Sequence, residues 1–284
     1  MQDKICIVTG ANAGIGKITA EALAQKGAKV VMFCRNMDKA EAARKEIIKN
    51  TNNANIDLIA CDFASLAQIR EAAKTFQSRY EHVDVLVNNA GFIAGAKREL
   101  STDGYEMTFA VNHLGYFMLT NLLKKELLAA PMPRVVSVSS EAHRFATVNM
   151  DDLELKKGYS AIKSYALSKL LNIYFARELA RRTKGSTLTS NCLHPGGVAT
   201  NFAKGSSLFV KLVMTMARPF LITPEKGAET SIYLATSPDV ANITGEYFDK
   251  KRVRSTSHDA LNEYNMKKLW ELSTQMCQLE GQTF

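Results

Sequence analysis

The sequence predicts a single α/β domain, residues 1–284, in which helices cover both faces of a doubly wound parallel β-sheet of about seven strands. Three observations lead to this fold class. Short apolar runs alternate with longer helical patterns along nearly the whole chain. The apolar runs, such as residues 83–87, carry few polar residues, as expected for strands buried on both faces. The sequence shows no repeat, low-complexity tract or linker that would mark a second domain.

Strands and helices alternate from the N-terminus onward. The predicted strands cover residues 5–8, 29–34, 56–61, 83–87, 134–139, 188–193 and 246–248. The predicted helices cover residues 17–26, 37–50, 66–79, 109–128, 165–182 and 224–236. Gly27 directly follows the first helix, and a glycine at that position commonly ends a helix. This order is typical of parallel strands joined by helical crossovers.

Composition and charge indicate a globular protein with a small-molecule substrate. The chain is 46% apolar and 23% charged, which is ordinary for a folded domain. Its net charge of +8 is scattered over several predicted helices, and the densest basic run, residues 250–254, lacks interleaved aromatic residues. We therefore expect no nucleic-acid partner. A homo-oligomer remains an open alternative.

Cysteine usage and hydropathy bear on the compartment. The five cysteines are widely spaced and none forms a C-x-x-C pair, so we expect buried, reduced thiols and no metal site. No run reaches the roughly 18 apolar residues that a membrane span needs, and the start of the chain shows no basic-then-apolar leader. The expectation is a cytoplasmic protein without an integral membrane span.

Residues 9–16 form a glycine-rich turn between the first strand and the first helix. In such a turn, backbone N–H groups and the helix N-terminus face a pyrophosphate. Gly10 allows the tight turn, Gly14 permits close approach of the ligand, and Gly16 lets helix and strand pack. A structural turn without a ligand is the alternative. The candidate cofactor contacts in this turn are Gly10, Asn12, Gly14, Ile15 and Gly16.

Arg35 follows the second strand, where an NAD site normally has an acidic residue that binds the ribose 2′-hydroxyl. A guanidinium there binds a 2′-phosphate bidentately, which favours NADP(H) over NAD(H). Lys17 and Asn36 are candidate helpers, and an exposed loop arginine is the alternative. Asp62, followed by Phe63 after the third strand, is a candidate for contact with the adenine, although an aspartate there often caps a helix.

Tyr165 and Lys169 are four residues apart on a predicted helix and therefore share one face. A free tyrosine has a pKa of about 10 and is a poor base at neutral pH. Because an ammonium stabilises the phenolate, we expect Lys169 to lower the pKa of Tyr165, which then acts as the general acid/base of carbonyl/alcohol chemistry. Tyr159 and Lys163 have the same spacing, but Tyr159 is expected in the loop before the helix.

Ser139 ends the fifth predicted strand, at the carboxyl edge where parallel sheets bind their ligands. We predict that its hydroxyl orients the substrate oxygen towards Tyr165. In the alternative, Ser139 or Ser140 only caps the following segment. His143 and His194 lack the spacing of a metal site, so we expect both to be structural.

Residues 201–222 contain apolar clusters interrupted by Gly205 and Pro219. We predict a mobile substrate lid whose apolar face lines a pocket for a hydrophobic substrate. An amphipathic helix on a membrane surface and a partner- or dimer-packing face are the alternatives.

Taken together, these motifs resemble the short-chain dehydrogenase/reductase family, which has a Rossmann-type fold. The motifs occur in the family's order: Thr9-Gly10-x-x-x-Gly14-x-Gly16, Asn88-Asn89-Ala90-Gly91, Asn112, Ser139, Tyr165-x-x-x-Lys169 and Pro195-Gly196-x-Val198-x-Thr200. Residues 34–36, 111–117 and 139–143 resemble the retinol-dehydrogenase-like branch, whose members are similar to reductases of retinal and other lipophilic carbonyls.

The resemblance implies further roles. Asn112 would hold a water that links Lys169 to solvent, and Lys169 would also bind the nicotinamide ribose. Residues 141–158 lengthen the interval before Tyr165 relative to many members and would wall the substrate pocket. Further cofactor contacts would come from Asn89, Ala90 and Gly91 near the adenosine ribose, and from Pro195, Gly196, Val198 and Thr200 near the nicotinamide amide.

The sequence therefore predicts an NADP(H)-dependent oxidoreductase that interconverts a lipophilic carbonyl and its alcohol. The alternative is a non-catalytic NADP(H)-sensing protein on the same fold, since a fold by itself does not determine function. The presence of Asn112, Ser139, Tyr165 and Lys169 together favours the enzyme.

Overall fold

A computed structural model describes residues 1–197 and 222–284 of the chain. The strands are β1 (Ile5–Thr9), β2 (Lys29–Cys34), β3 (Ile56–Ala60), β4 (Val85–Asn88), β5 (Arg134–Val138), β6 (Thr189–His194), β7 (Tyr247–Asp249) and β8 (Arg252–Val253). They form one 8-stranded sheet in the order β3-β2-β1-β4-β5-β6-β7-β8. β1 to β7 are parallel and β8 is antiparallel to β7. The predicted fold class is confirmed, with β8 as an additional edge strand.

Helices connect the strands. They are α1 (Gly14–Gln25), α2 (Met37–Thr51), α3 (Leu66–Gln77), α4 (Met107–Phe109), α5 (Gly115–Leu122), α6 (Lys124–Ala129), α7 (Ala161–Arg182), α8 (Pro224–Thr236) and α9 (Glu263–Met276). α9 was not predicted. It begins where the Asn262 side chain accepts a hydrogen bond from Asn265 N, and it buries Met266, Leu269 and Trp270 at helical spacing.

The side chains of the strands pack into two separate apolar clusters, one on each face of the sheet. In β1, Ile7 packs into the first cluster, whereas its neighbours Cys6 and Val8 pack into the second. This alternation follows from the two-residue period of a strand, in which successive side chains point to opposite faces. Both faces of the sheet are therefore buried, which explains the almost continuous apolar runs in the sequence.

The predicted helix 109–128 is interrupted in the structure. Its first part is α4, followed by a π-helix (Ala110–Leu114), then α5 and α6. Asn112, inside the π-helix, forms two hydrogen bonds to the backbone of Phe92: its Oδ1 accepts from Phe92 N at 2.8 Å and its Nδ2 donates to Phe92 O at 3.0 Å. Single π-turns of this kind commonly mark functional positions in helices.

The strand order creates a crevice between β1 and β4, which are neighbours in the sheet although β2 and β3 intervene in sequence. The chain runs outward from β1 on one side and from β4 on the other, so the loops after these two strands diverge. Ligands of doubly wound sheets bind at the carboxyl ends of the strands beside such a crevice. Within residues 1–197 and 222–284, no helix is both long and apolar enough to span a bilayer.

Candidate active site

The glycine-rich turn after β1 has the backbone shape that a pyrophosphate site needs. Gly10 and Gly14 have positive φ values of 65° and 55°, a region that favours glycine. At Gly16 a Cβ would lie only 2.6 Å from the carbonyl oxygen of Gly10. Ala13 precedes α1, and its methyl group cannot accept a hydrogen bond from the first-turn N–H groups. The turn therefore fits a pyrophosphate next to the positive end of α1.

The loop after β4 forms the floor of the crevice. Thr9 Oγ1 accepts hydrogen bonds from the backbone N of Asn89 and of Ala90, both at 2.8 Å. The Asn89 side chain donates to Thr9 O, also at 2.8 Å. These bonds join the carboxyl ends of β1 and β4. Asn89 thus shapes the site, and the half-buried Gly91 follows it along the crevice.

Arg35 stands at the carboxyl end of β2 with 74% of its side chain exposed, and its Nη1 lies 3.8 Å from Asp62 Oδ2. An exposed guanidinium in this position remains able to bind a phosphate. The two expected helpers have other partners: Lys17 pairs with Glu46 at 2.5 Å, and Asn36 caps α2 by accepting from Lys39 N at 2.9 Å.

Asp62 and Phe63 turn the chain after β3. Asp62 Oδ1 accepts from Ala64 N at 3.0 Å, an interaction within the turn. Phe63 is buried, and a Cβ at Gly115 would lie 2.6 Å from its ring. Phe63 therefore packs under the crevice against the start of α5.

Tyr165 and Lys169 lie in the second and third turns of α7, and Lys169 Nζ is 5.4 Å from the centre of the Tyr165 ring. Lys169 is 2% exposed, and its ammonium donates to Val138 O at 3.1 Å. Burial lowers the pKa of Lys169 to about 7. A cation in this position is destabilised by the loss of hydration, although it lies beside a carbonyl and an aromatic face.

Burial raises the pKa of Tyr165 to about 12, and a hydrogen bond from Ser140 partly opposes this shift. The net shift of the Tyr165 pKa is therefore opposite to the one that we expected, because burial is its largest cause. Because both groups are buried, the phenol resists ionisation and the lysine loses part of its own charge. At neutral pH Tyr165 is a protonated phenol, which suits a proton donor.

The structure also corrects the assignment of the serine. Ser139 is 1% exposed, and its hydroxyl donates to the backbone carbonyl of Lys169 at 2.7 Å. It thereby joins the end of β5 to α7. The adjacent Ser140 is half-buried and contacts the Tyr165 phenol. The sequence indicated a functional serine at this position through two consecutive serines. Their side chains point in different directions, and which one faces Tyr165 could not be assigned without the position of α7.

Ser140 combines two functions. Its Oγ accepts from Ala142 N at 3.2 Å and caps the 3₁₀ helix Glu141–Phe145. A hydroxyl has one hydrogen to donate and can accept at the same time, so the O–H of Ser140 remains available for the oxygen of Tyr165. The capping alternative and the functional role are thus compatible.

Asn112 is buried and contacts α7. Its Nδ2 donates to Ser168 Oγ at 3.0 Å, in addition to the two bonds with Phe92. The carboxamide that we expected to hold a water thus has protein partners for its oxygen and both amide hydrogens. Its contacts join the π-helix, the loop after β4 and α7 around the candidate site.

The competing pair, Tyr159 and Lys163, does not share a helix face. Tyr159 precedes α7, and its hydroxyl donates to Gly95 O at 3.3 Å. Burial raises the pKa of Tyr159 to about 12, whereas Lys163 is exposed on α7. The i to i+4 geometry on which the chemistry depends is present only for Tyr165 and Lys169.

The segment after β6 turns at Gly196, whose φ is +93°. Pro195 lies beside it, and Ile222 N donates to Gly197 O at 2.8 Å. Val198, Thr200 and the predicted lid, except for Ile222, lie outside the described residues. His194 Nδ1 accepts from Glu141 N at 3.3 Å, which is a structural contact as expected.

The segment 141–158 begins with the 3₁₀ helix Glu141–Phe145, which Ser140 caps. Phe145 is 81% exposed, five residues after Ser140. Glu154, in contrast, is buried: its Oε2 accepts from Glu106 N at 2.9 Å and pairs with Arg98 at 3.3 Å. The far end of this segment is therefore anchored to the protein, while its beginning presents an apolar ring to solvent.

Comparisons with known proteins show the family of this chain. The sequence profile of the short chain dehydrogenases matches residues 4–209. Retinol dehydrogenase 11 of Mus musculus is 39% identical over 278 residues, covering 98% of this chain and 86% of that protein. Retinol dehydrogenase 13 of Homo sapiens is 38% identical over 284 residues, with the same 98% and 86% coverage.

Solved structures share the fold. An uncharacterized protein from Mycobacterium paratuberculosis has a TM-score of 0.79 and 31% identity, covering 98% of this chain and 94% of that one. A short chain dehydrogenase from Shigella flexneri 2a, complexed with NADP, has a TM-score of 0.70 and 24% identity, covering 89% of this chain and 98% of that one.

Proposed function

Because the chain belongs to the short-chain dehydrogenase family and to its retinol-dehydrogenase-like branch, we propose that it interconverts a lipophilic aldehyde or ketone and the corresponding alcohol with NADP(H). The family makes the protein an oxidoreductase that acts on CH–OH and C=O groups. The NADP(H)-sensing alternative is thereby disfavoured. The observation that carries the proposal is the meeting of Tyr165, Ser140 and Lys169 beside the glycine-turn crevice.

In this proposal Tyr165 donates the proton. A phenol with a pKa of about 12 is fully protonated at neutral pH, so the proton that a carbonyl oxygen needs is in place. Because such a phenol is a weak acid, its transfer requires groups that stabilise the phenolate. When a carbonyl substrate binds, the single O–H of Ser140 turns from the phenol to the same carbonyl oxygen and orients it towards the phenol. The protonated phenol is the form of Tyr165 that carbonyl reduction uses, and the phenolate is the form that alcohol oxidation uses.

Lys169 stabilises the phenolate that remains after proton transfer. With a pKa of about 7, it is partly charged at neutral pH, and 5.4 Å separates its Nζ from the Tyr165 ring. Its ammonium is also the group proposed to hold the nicotinamide ribose. The cofactor, when bound, supplies or accepts the hydride.

NADP(H) is proposed over NAD(H) because of Arg35. The crevice side of β2 ends in an exposed guanidinium rather than a carboxylate, and a guanidinium binds a 2′-phosphate with charge-assisted hydrogen bonds. Asp62 lies 3.8 Å from it, and a phosphate at Arg35 would compete with that exposed, weak pair. The NADP complex of the Shigella flexneri neighbour is compatible with this preference.

A lipophilic substrate is proposed from two observations. The relatives named above are retinol dehydrogenases, and their name refers to a lipophilic alcohol. In this chain Phe145 exposes 81% of its surface close in sequence to Ser140, where an apolar substrate would bury it. We further propose a single domain in a reducing, cytoplasmic compartment, because Cys6, Cys34, Cys61, Cys192 and Cys277 are all free, buried thiols.

The test is the initial rate of NADPH and NADH oxidation by the purified protein, with carbonyls from short aldehydes to retinal and steroid ketones. We expect NADPH-dependent turnover that increases with the apolar size of the carbonyl. Tyr165→Phe should abolish it, and Tyr159→Phe is the matched control that should leave it intact. Tight NADPH binding without turnover of any carbonyl would contradict the proposed reaction, and activity in Tyr165→Phe would contradict the mechanism.

A further inference from the structure

We infer that His143 is a positioning residue that holds Ser140 against Tyr165, an inference that rests on the proposed function. His143 is fully buried in the 3₁₀ helix Glu141–Phe145. Its Nδ1 lies 2.7 Å from the backbone carbonyl oxygen of Ser140. The His143 backbone N donates to the same carbonyl at 3.1 Å.

The other ring nitrogen connects Ser140 to a distant part of the chain. Ser257 N donates to His143 Nε2 at 3.2 Å, across 114 positions of sequence. The imidazole also packs edge-on against the Tyr247 ring, with 5.0 Å between the ring centres. The ring is therefore fixed between the Ser140 loop, β7 and the segment after β8.

These partners determine the tautomer of His143. A backbone N–H can only donate, so Nε2 carries no proton, and a carbonyl can only accept, so Nδ1 carries one. Both contacts require the same neutral form. Protonation of Nε2 would bring its N–H close to the N–H of Ser257, so this hydrogen bond would lose its acceptor.

Ser140 is thus held from two sides. On one side, Ser139 donates its N to Leu193 O and its hydroxyl to Lys169 O, both at 2.7 Å. On the other side, His143 holds the Ser140 carbonyl. Between these anchors, the Ser140 side chain contacts the Tyr165 phenol. A shift of this short segment moves the hydroxyl relative to the phenol, and misplacement by about 1 Å can lower a rate by about a hundredfold.

Two conservative variants separate the contacts of the imidazole. His143→Asn keeps an amide at the position of Nδ1 and can still donate to Ser140, whereas His143→Gln places its amide near Nε2 and keeps only the Ser257 contact. We expect His143→Gln to lower kcat by about ten- to a hundredfold with little change in the KM for NADPH. His143→Asn should retain most of kcat. The opposite ranking would show that only the Ser257 contact matters and would overturn the inference.

A double-mutant cycle shows whether His143 acts through Ser140. In the Ser140→Ala background, His143→Gln should have almost no further effect on kcat, because the hydroxyl that it positions is absent. If the two substitutions lower kcat by independent factors that multiply in the double variant, His143 acts by another route and the inference is wrong. NADPH affinity and Tm of each variant establish that it is folded.

Two further results separate this inference from the proposed function. If the wild-type protein turns over no carbonyl, the proposed function fails; if Tyr165→Phe keeps the wild-type rate, the proposed role of Tyr165 fails, and in either case the inference falls with it. If Tyr165→Phe is inactive but the effects of Ser140→Ala and His143→Gln on kcat are independent, only the inference fails. Histidine ¹⁵N NMR of the wild-type protein gives a readout independent of turnover: a proton on His143 Nδ1 is expected, and a proton on Nε2 would contradict the contacts.

Discussion

Replacing each of the two adjacent serines by alanine tests the assignment of the site most directly. Ser140→Ala removes the hydroxyl that contacts the Tyr165 phenol, and Ser139→Ala removes the hydroxyl that donates to Lys169 O at 2.7 Å. The changes are chemically identical and lie one residue apart. They differ in the partners that the lost hydroxyl contacts.

The expected magnitudes follow from those contacts. In Ser139→Ala the Lys169 carbonyl keeps its bond within α7, so the loss is that of one ordinary hydrogen bond, about 1 kcal/mol in the free energy of unfolding. This corresponds to a fall in Tm of about 2–4 °C. Ser140→Ala loses the bond from Ala142 N and a similar amount of stability. It also loses a hydrogen-bond donor to the developing oxyanion, which lowers kcat by about a hundredfold or more.

The assay is steady-state NADPH oxidation with the best carbonyl of the panel, together with thermal unfolding of both variants. We expect similar Tm values for the two variants and very different kcat values, with Ser139→Ala within a few-fold of the wild type. If Ser139→Ala were the inactive variant and Ser140→Ala the active one, the geometry of the site would be refuted and the sequence-based assignment restored.

Three further predictions concern the cofactor and the buried lysine. Arg35→Ser should raise the KM for NADPH by about ten- to a hundredfold and leave that for NADH unchanged, since bonds to charged groups contribute about 1.5–3 kcal/mol; equal changes would place the 2′-phosphate elsewhere. Gly16→Ala should weaken NADPH binding in a fluorescence titration and lower Tm, because its Cβ would lie 2.6 Å from Gly10 O; unchanged affinity would argue against this turn as the site. Lys169 has a folded pKa of about 7, against about 10.4 when unfolded. The unfolded state thus binds more protons between these values, and this lysine makes stability rise with pH across that window. Lys169→Met should be more stable than the wild type at pH 7, by an amount that shrinks towards pH 10 in denaturant titrations; a constant difference would contradict the burial effect.

Most elements were predictable because their signals are local. β2 and α8 have the predicted bounds, and the family resemblance drawn from the motifs was confirmed. β8 has only two residues, both exposed, and no apolar run marks it. α9 was missed although Met266, Leu269 and Trp270 have helical spacing. The interruption of the predicted helix 109–128 depends on Phe92, which lies 20 positions from Asn112.

The sequence by itself determined the doubly wound fold, the glycine turn and the Tyr165–Lys169 pair. Each rests on spacing within a few residues, through the period of a strand or helix or the need for positive φ. Only the tertiary structure decided which serine faces Tyr165, because this choice depends on where α7 lies. The Ser139 hydroxyl donates to the carbonyl oxygen of Lys169 in α7, which is 30 positions away in the sequence. It also decided the pKa directions of Tyr165 and Lys169. Burial sets those directions, and burial is a property of packing between distant segments rather than of neighbouring residues.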